Sequence, residues 1–139
     1  MDVHSPEQRS FNMSRIRSTD TKPEIIVRKW LWAKGYRYRL YRKDLPGRPD
    51  IVISRYKTAV FINGCFWHHH EGCHYATIPA TRTEWWTDKF LKTAERDRNA
   101  VQKLENAGWN VVTIWECEIR SGRFEEILMD RLLKTEPKT

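Results

Sequence analysis

Three short apolar runs constrain this chain more than any other feature: Asp50–Ser54, Thr58–Ile62 and Trp109–Trp115. Runs so nearly free of polar residues read as strands buried in the middle of a sheet, covered on both faces. Only Arg55-Tyr56-Lys57 separates the first two, which makes them a hairpin. A long amphipathic helical pattern separates the second from the third, and such a crossover places its two strands parallel. The expectation is a three-layer α/β domain with a central mixed β-sheet flanked by helices. At 139 residues the chain has room for one such domain and a real core.

The flanking elements follow from local signals. Thr21-Lys22-Pro23-Glu24 reads as a capping box opening a helix, with Glu24 as its return residue. Ile26, Trp30 and Ala33, with Val27 and Leu31 beside them, form its apolar face, and Gly35 ends it. Tyr36 to Tyr41 alternates as a half-exposed strand with a basic outer face. Pro46-Gly47-Arg48-Pro49 is a turn. Thr81-Arg82-Thr83-Glu84 is a second capping box. The helix after it carries Trp86, Phe90, Ala94, Val101 and Leu104 on one side, with Lys89, Lys92, Arg96, Arg98 and Lys103 on the other, and stops at Gly108. A last helix spans Arg123 to Lys134. Residues 1–20 are polar, carry Arg9, Arg15 and Arg17, and offer a helix start at Ser5-Pro6. They read as an arm ordered on a partner, or else as a frayed terminus. Residues 21–139 make up the folded domain.

The formal net charge is +7 and the sequence pI about 9.5, a balance that suits a polyanion, because each neutralised phosphate releases condensed counterions. A merely basic soluble protein is the plainer alternative. Seven tryptophans are many for this length, and such rings stack on bases as readily as they fill cores. No apolar run approaches the ~20 residues that span a bilayer, and the first residues lack a secretory apolar region. The expectation is an intracellular, cytoplasmic protein with reduced thiols. Three cysteines, an odd number, then point to metal ligation before disulfide bonding.

The chemistry gathers around two stretches. Asp50 opens a buried strand after Pro49, where a carboxylate can hold a divalent cation at the end of a sheet. Phosphodiester hydrolysis needs such a cation, to stabilise charge on the phosphate and acidify a bound water. The plain alternative is an aspartate that caps the turn. Cys65, His70 and Cys73, with Cys117 after the last strand, offer three thiolates and an imidazole, a set that suits tetrahedral Zn²⁺. His69 or His74 are alternatives for the nitrogen ligand, and three ordinary buried thiols the alternative to any metal. With four protein ligands no position is left for water, so this zinc would be structural and would fold the irregular segment 63–80. His68 remains as a candidate general base, since an imidazole titrates near neutrality. Phe66 and Trp67 are consecutive and cannot both enter one core by strand alternation. With Trp86 they could wedge between base pairs, or simply pack together.

Pro-Gly-Arg-Pro-Asp (46–50), Gly-Cys-Phe-Trp-His (64–68), Pro-Ala-Thr-Arg-Thr-Glu (79–84), Glu-Arg-Asp-Arg (95–98), Ile-Trp-Glu-Cys (114–117) and Arg-Ser-x-Asn-Met (9–13) together resemble the very-short-patch-repair (Vsr) DNA mismatch endonucleases. The likeness runs from about Val3 to the last helix. It implies the restriction-endonuclease-like fold, without the usual second acid and lysine after Pro-Asp, and no Glu-x-Lys follows Asp50 here. It implies Mg²⁺ at Asp50 with the backbone carbonyl of Ile62, His68 as general base, and Glu24 supporting the metal site. It implies zinc at Cys65, His70, Cys73 and Cys117, and entry of Phe66, Trp67 and Trp86 into the duplex, while the N-terminal arm grips the other groove. The implied reaction is a nick 5′ to the thymine of a thymine–guanine mismatch, the product of 5-methylcytosine deamination, by a monomer linked in function to a DNA cytosine methyltransferase and a repair polymerase. Before Gly64 the family can carry a histidine near the phosphate. Here the residue is Asn63, which can donate a hydrogen bond but carries no titrating proton.

Overall fold

Residues 21–133 are described by the structure, a computed structural model. The three apolar runs and part of the alternating stretch before them form a four-stranded sheet in the order β1-β2-β3-β4: Arg39–Leu40, Ile51–Ile53, Thr58–Asn63 and Asn110–Trp115. β1 and β2 are antiparallel, as are β2 and β3, which a 3₁₀ turn at Ser54–Tyr56 joins as the expected hairpin. β3 and β4 are parallel, paired from Thr58 with Asn110 to Asn63 with Trp115. The crossover between them is the 24-residue helix α2, Thr83–Asn106. The remaining helices are α1, Lys22–Ala33, the short α3, Glu116–Ser121, and α4, Phe124–Leu133.

The two faces of the sheet carry separate cores. Ile51, Ile53, Val60, Val112 and Ile114 meet Val27 and Leu31 of α1, Ile119 of α3, and Phe124, Leu128 and Leu132 of α4. Ala59 and Val111, on the opposite face by strand alternation, meet Leu104 of α2 with Phe61, Val101, Leu45 and Trp109 around them. The result is the expected three-layer α/β arrangement with a mixed sheet. Gly47, at φ 74°, lets the Pro46–Pro49 turn lie on α2, where a Cβ would come within 2.6 Å of the Ala100 Cβ.

Several local expectations are corrected. Thr21 makes no side-chain cap bond. Pro23 removes one of the N–H groups a cap would serve, and Glu24 is turned inward instead of back to the N-cap. The buried stripe of α1 is Glu24, Val27 and Leu31, whereas Ile26 is 38% exposed. The true face contains a carboxylate, so apolar periodicity pointed one position too far round the helix. The second capping box is absent as well. α2 begins at Thr83 behind a left-handed Arg82 (φ 57°), and the Thr83 hydroxyl donates back to the carbonyls of Pro79 and Ala80. β1 is only two residues long, because Tyr41 turns left-handed at φ 52°. β4 starts at Asn110 rather than Trp109, whose N–H is still bonded to Leu104 of α2. Glu116 and Cys117 do not trail from a strand but start α3. The arm 1–20 and Lys134 lie outside the described residues. Among the described residues no helix is long and apolar enough to cross a membrane.

Candidate functional site

The antiparallel pairing of β2 with β3 brings the start of one strand beside the end of the other. Asp50 stands at that start, and its Oδ2 accepts a hydrogen bond from the Ile62 N–H at 2.7 Å. The Asp50 carboxyl is pushed up to about 6. Burial is the main cause and the nearby Glu24 adds to it, while the Ile62 N–H, His68 and Arg28 oppose it. These opposing influences also identify the neighbours: Glu24 of α1 and His68 of the loop after β3 both lie within electrostatic reach of Asp50.

Glu24 is 4% exposed, a buried carboxylate rather than a surface cap. Its Oε2 accepts from the Tyr41 hydroxyl at 2.5 Å and from Arg28 Nη2 at 3.1 Å. A second buried acid thus stands near Asp50, carried by α1 and not by the strand after Pro-Asp. Two hard-oxygen side chains next to strand backbone suit Mg²⁺ in kind. A buried carboxyl held near 6 beside a second acid also suits it, since a dication relieves both penalties.

His68 is set by the loop that leaves β3. Its N–H bonds to the Gly64 carbonyl at 3.1 Å, and its Nδ1 pairs with Asp97 Oδ2 of α2 at 2.7 Å. An Nδ1–carboxylate contact fixes the tautomer and leaves Nε2 as the basic nitrogen. Sequence reasoning assigned no role to Asp97. It stands in the Glu-Arg-Asp-Arg run quoted above, and the one available signal was an acid among the bases of that helix. Asn63, at the end of β3, is buried.

The same loop gathers the thiols. Ligand atoms of Cys65, His70, Cys73 and Cys117 all lie within 4.8 Å of one another, a grouping that could hold a metal ion. His70 Nδ1 lies 3.8 Å from Cys65 Sγ and 3.5 Å from Cys117 Sγ. A tetrahedron with Zn–S of ~2.3 Å and Zn–N of ~2.0–2.1 Å has edges of about 3.6 Å between S and N, so the spacing fits. His70 stacks on Trp115 at 4.0 Å and 6°. His69 instead stacks on Phe90, and His74 lies exposed against Tyr75, so neither alternative joins the cluster. Burial pushes the Cys65 thiol up to about 12 and raises Cys117 too. Burial also pulls Cys73 upward, but the Tyr75 and Ala76 N–H groups and the neighbouring thiols bring it below its ordinary value. Crowded thiols that resist ionising together are what a soft dication overcomes.

Phe66 contacts Trp67, Trp86 and Phe90 at centroid separations of 5.1, 5.4 and 5.4 Å. Phe90 is buried and Trp67 is 40% exposed, so the aromatic group runs from the α2 face of the core to the surface. The three proposed wedge residues are thus one cluster. The basic side of α2 is exposed at Lys89, Lys92, Arg96, Arg98 and Lys103.

Comparison with known proteins shows the family. A family model described as DNA mismatch endonuclease Vsr matches residues 1–74. The chain is 42% identical over 133 residues to the DNA mismatch endonuclease Vsr of Escherichia coli K12, covering 94% of this chain and 85% of that protein. It is 43% identical over 133 residues to the Type II nicking enzyme V.NmeAIP of Neisseria meningitidis serogroup A, covering 96% and 94%. It is 44% identical over 118 residues to the Type II nicking enzyme V.XorIIP of Xanthomonas oryzae pv. oryzae, covering 85% and 86%.

Proposed function

The chain belongs to the Vsr family of DNA mismatch endonucleases, and we propose that it nicks one strand of a duplex 5′ to the thymine of a thymine–guanine mismatch. The observation that carries this reading is that Glu24 and the Asp97-held His68 both lie within electrostatic reach of Asp50, at one end of the β2–β3 hairpin. Three chain segments distant in sequence supply two acids and an oriented imidazole, more than a binding module requires.

Asp50 and Glu24, with the carbonyl of Ile62, would hold Mg²⁺. When bound, the ion supplies charge stabilisation at the phosphate and lowers the pKa of a water. His68 takes the proton of the attacking water at Nε2, and Asp97 stabilises the imidazolium that forms. Attack at phosphorus leaves a 5′-phosphate and a 3′-hydroxyl. Asn63, buried at the end of β3, would donate a hydrogen bond but cannot serve as an acid. Cys65, His70, Cys73 and Cys117 hold a structural Zn²⁺, whose work is to rigidify the loop that carries His68. Phe66, Trp67 and Trp86 enter the stack beside the mismatch, where unstacking is least costly. The basic side of α2 and the arm 1–20 grip the backbone. One such site per chain suffices for a nick, so the enzyme works as a monomer, alongside a cytosine methyltransferase whose product deaminates and a polymerase that refills the gap.

The test is incubation with Mg²⁺ and duplexes carrying thymine–guanine mismatches in varied contexts, with each strand labelled. The expected product is one nick, on the thymine strand, on the 5′ side of that base. Equal cutting of matched duplex on both strands would favour a restriction-type enzyme of the same fold. No cutting of any duplex, together with retained DNA binding, would favour a zinc DNA-binding module.

A further inference from the structure

Resting on the reading of Glu24 and Asp50 as the acids of the metal site, we infer that Tyr41 is a positioning residue that holds both acids in register, Glu24 by its hydroxyl and Asp50 by its backbone, with Arg28 as a second clamp on Glu24. Tyr41 follows β1, where Leu40 pairs with Ile51. Its N–H donates to the Asp50 carbonyl at 3.3 Å, adding one more rung to the ladder next to the catalytic acid. Its hydroxyl reaches across to α1 and donates to Glu24 Oε2 at 2.5 Å. The direction of that bond is set by Arg28, whose Nη2 also contacts the Tyr41 hydroxyl. A guanidinium can only donate, so the hydroxyl accepts there and its single proton is left for Glu24.

The same Nη2 donates to Glu24 Oε2, and the guanidinium carbon lies 5.5 Å from the centre of the Tyr41 ring. The carboxylate thus meets two donors on one oxygen, from two elements, in a half-buried setting where such bonds restrict a side chain strongly. Tyr41 is held at φ 52°, a conformation that non-glycine residues adopt rarely and that persists where surrounding contacts over-determine it. Here those contacts include one to each acid. Glu24 is carried by a helix and Asp50 by a strand, so their separation depends on how α1 lies on the sheet. Tyr41 ties that packing directly to the site, and its work is to keep two like charges at the spacing a dication needs.

Removing an outer group that orients metal-ligating side chains typically costs 10–100-fold in metal affinity or activity. Tyr41→Phe keeps the ring and the backbone and deletes only the hydroxyl, which donates to Glu24 and accepts from Arg28. The full-length zinc-loaded protein is titrated with Mg²⁺ on a mismatch duplex, and Mn²⁺ binding to the protein is read separately by electron paramagnetic resonance. The half-saturating Mg²⁺ is expected to rise about tenfold, with the rate at saturating Mg²⁺ nearly unchanged and Mn²⁺ affinity falling in step. Arg28→Met removes the other donor and gives a second route to the same readouts should Tyr41→Phe fail to fold. Glu24→Gln is the reference. If it weakens both metal readouts and Tyr41→Phe weakens neither, the clamp is wrong and the metal reading stands. If Glu24→Gln itself leaves both unchanged, the reading of Glu24 fails and the clamp falls with it. A loss confined to the saturating rate in Tyr41→Phe also overturns the inference.

Discussion

His68 is oriented by a residue 29 positions away. Asp97 accepts from Nδ1 and so leaves Nε2 as the basic nitrogen. In Asp97→Asn the amide can donate to Nδ1 and hold the other tautomer, in which Nε2 carries the proton. Nicking should fall by about 10²-fold or more, with mismatch binding in Ca²⁺ unchanged; strand-resolved rates and a gel-shift titration check both. Asp50 gives the second prediction at this scale. Its carboxyl, pushed to about 6, binds a proton in the folded state that the unfolded chain has already released between its ordinary value and 6. Stability from this group is therefore full at acid pH and lost as pH rises through about 6. At pH 8 the ionised, buried carboxylate costs on the order of 3 kcal/mol. Asp50→Asn should raise the melting temperature of the Mg²⁺-free protein at pH 8, with little change at pH 4, while abolishing nicking. An unchanged or lowered melting temperature at pH 8 would contradict the cause given for the shift.

Among the elements, the turn before β2 is the most exacting. Gly47 has a positive φ and faces Ala100 of α2 and the Phe61 ring, so Gly47→Ala combines backbone strain with a clash. A loss of about 2–4 kcal/mol is expected in denaturant titration, as is weaker nicking, since this turn sets the position of Asp50. That turn was plain in the sequence, as were the β2–β3 hairpin and the parallel β4, because apolar runs with clear punctuation leave few alternatives. The grouping of Cys65, His70, Cys73 and Cys117 was legible for a related reason: cysteine and histidine at short spacings advertise themselves whatever the surrounding fold. The face of α1 was not legible. Glu24 and Arg28 are buried as a pair, and a periodicity argument counts them as solvent-facing. Asp97 was hidden likewise, because a charged residue on a long polar helix looks the same whether it meets water or a histidine. The left-handed Tyr41 and Arg82 had no local signature, and at Tyr41 contacts with Glu24, Arg28 and Asp50 accompany that conformation.

At the scale of the whole molecule, the cysteine–histidine cluster joins two parts of the chain. Cys65, His70 and Cys73 follow β3, and Cys117 follows β4, with its N–H donating to Cys65 Sγ at 3.4 Å. Stripping the ion with a chelator, or Cys117→Ser, should release the loop at residues 64–80 while both cores of the sheet persist. Hydrogen exchange is expected to show lost protection over the loop and retained protection in β2, β3 and β4. Nicking should vanish and should not return on adding Mg²⁺ alone; restored nicking without Zn²⁺ would show that His68 needs no such support. The parallel pairing of β3 with β4 also has a consequence in time. The cysteine at 117 emerges from the ribosome only after the crossover helix and the last strand have been synthesised, so the cage cannot be completed on a nascent chain that stops short of it. A chain cut short before Cys117 lacks one of the four groups of the cluster and, on the reading proposed above, is expected not to nick.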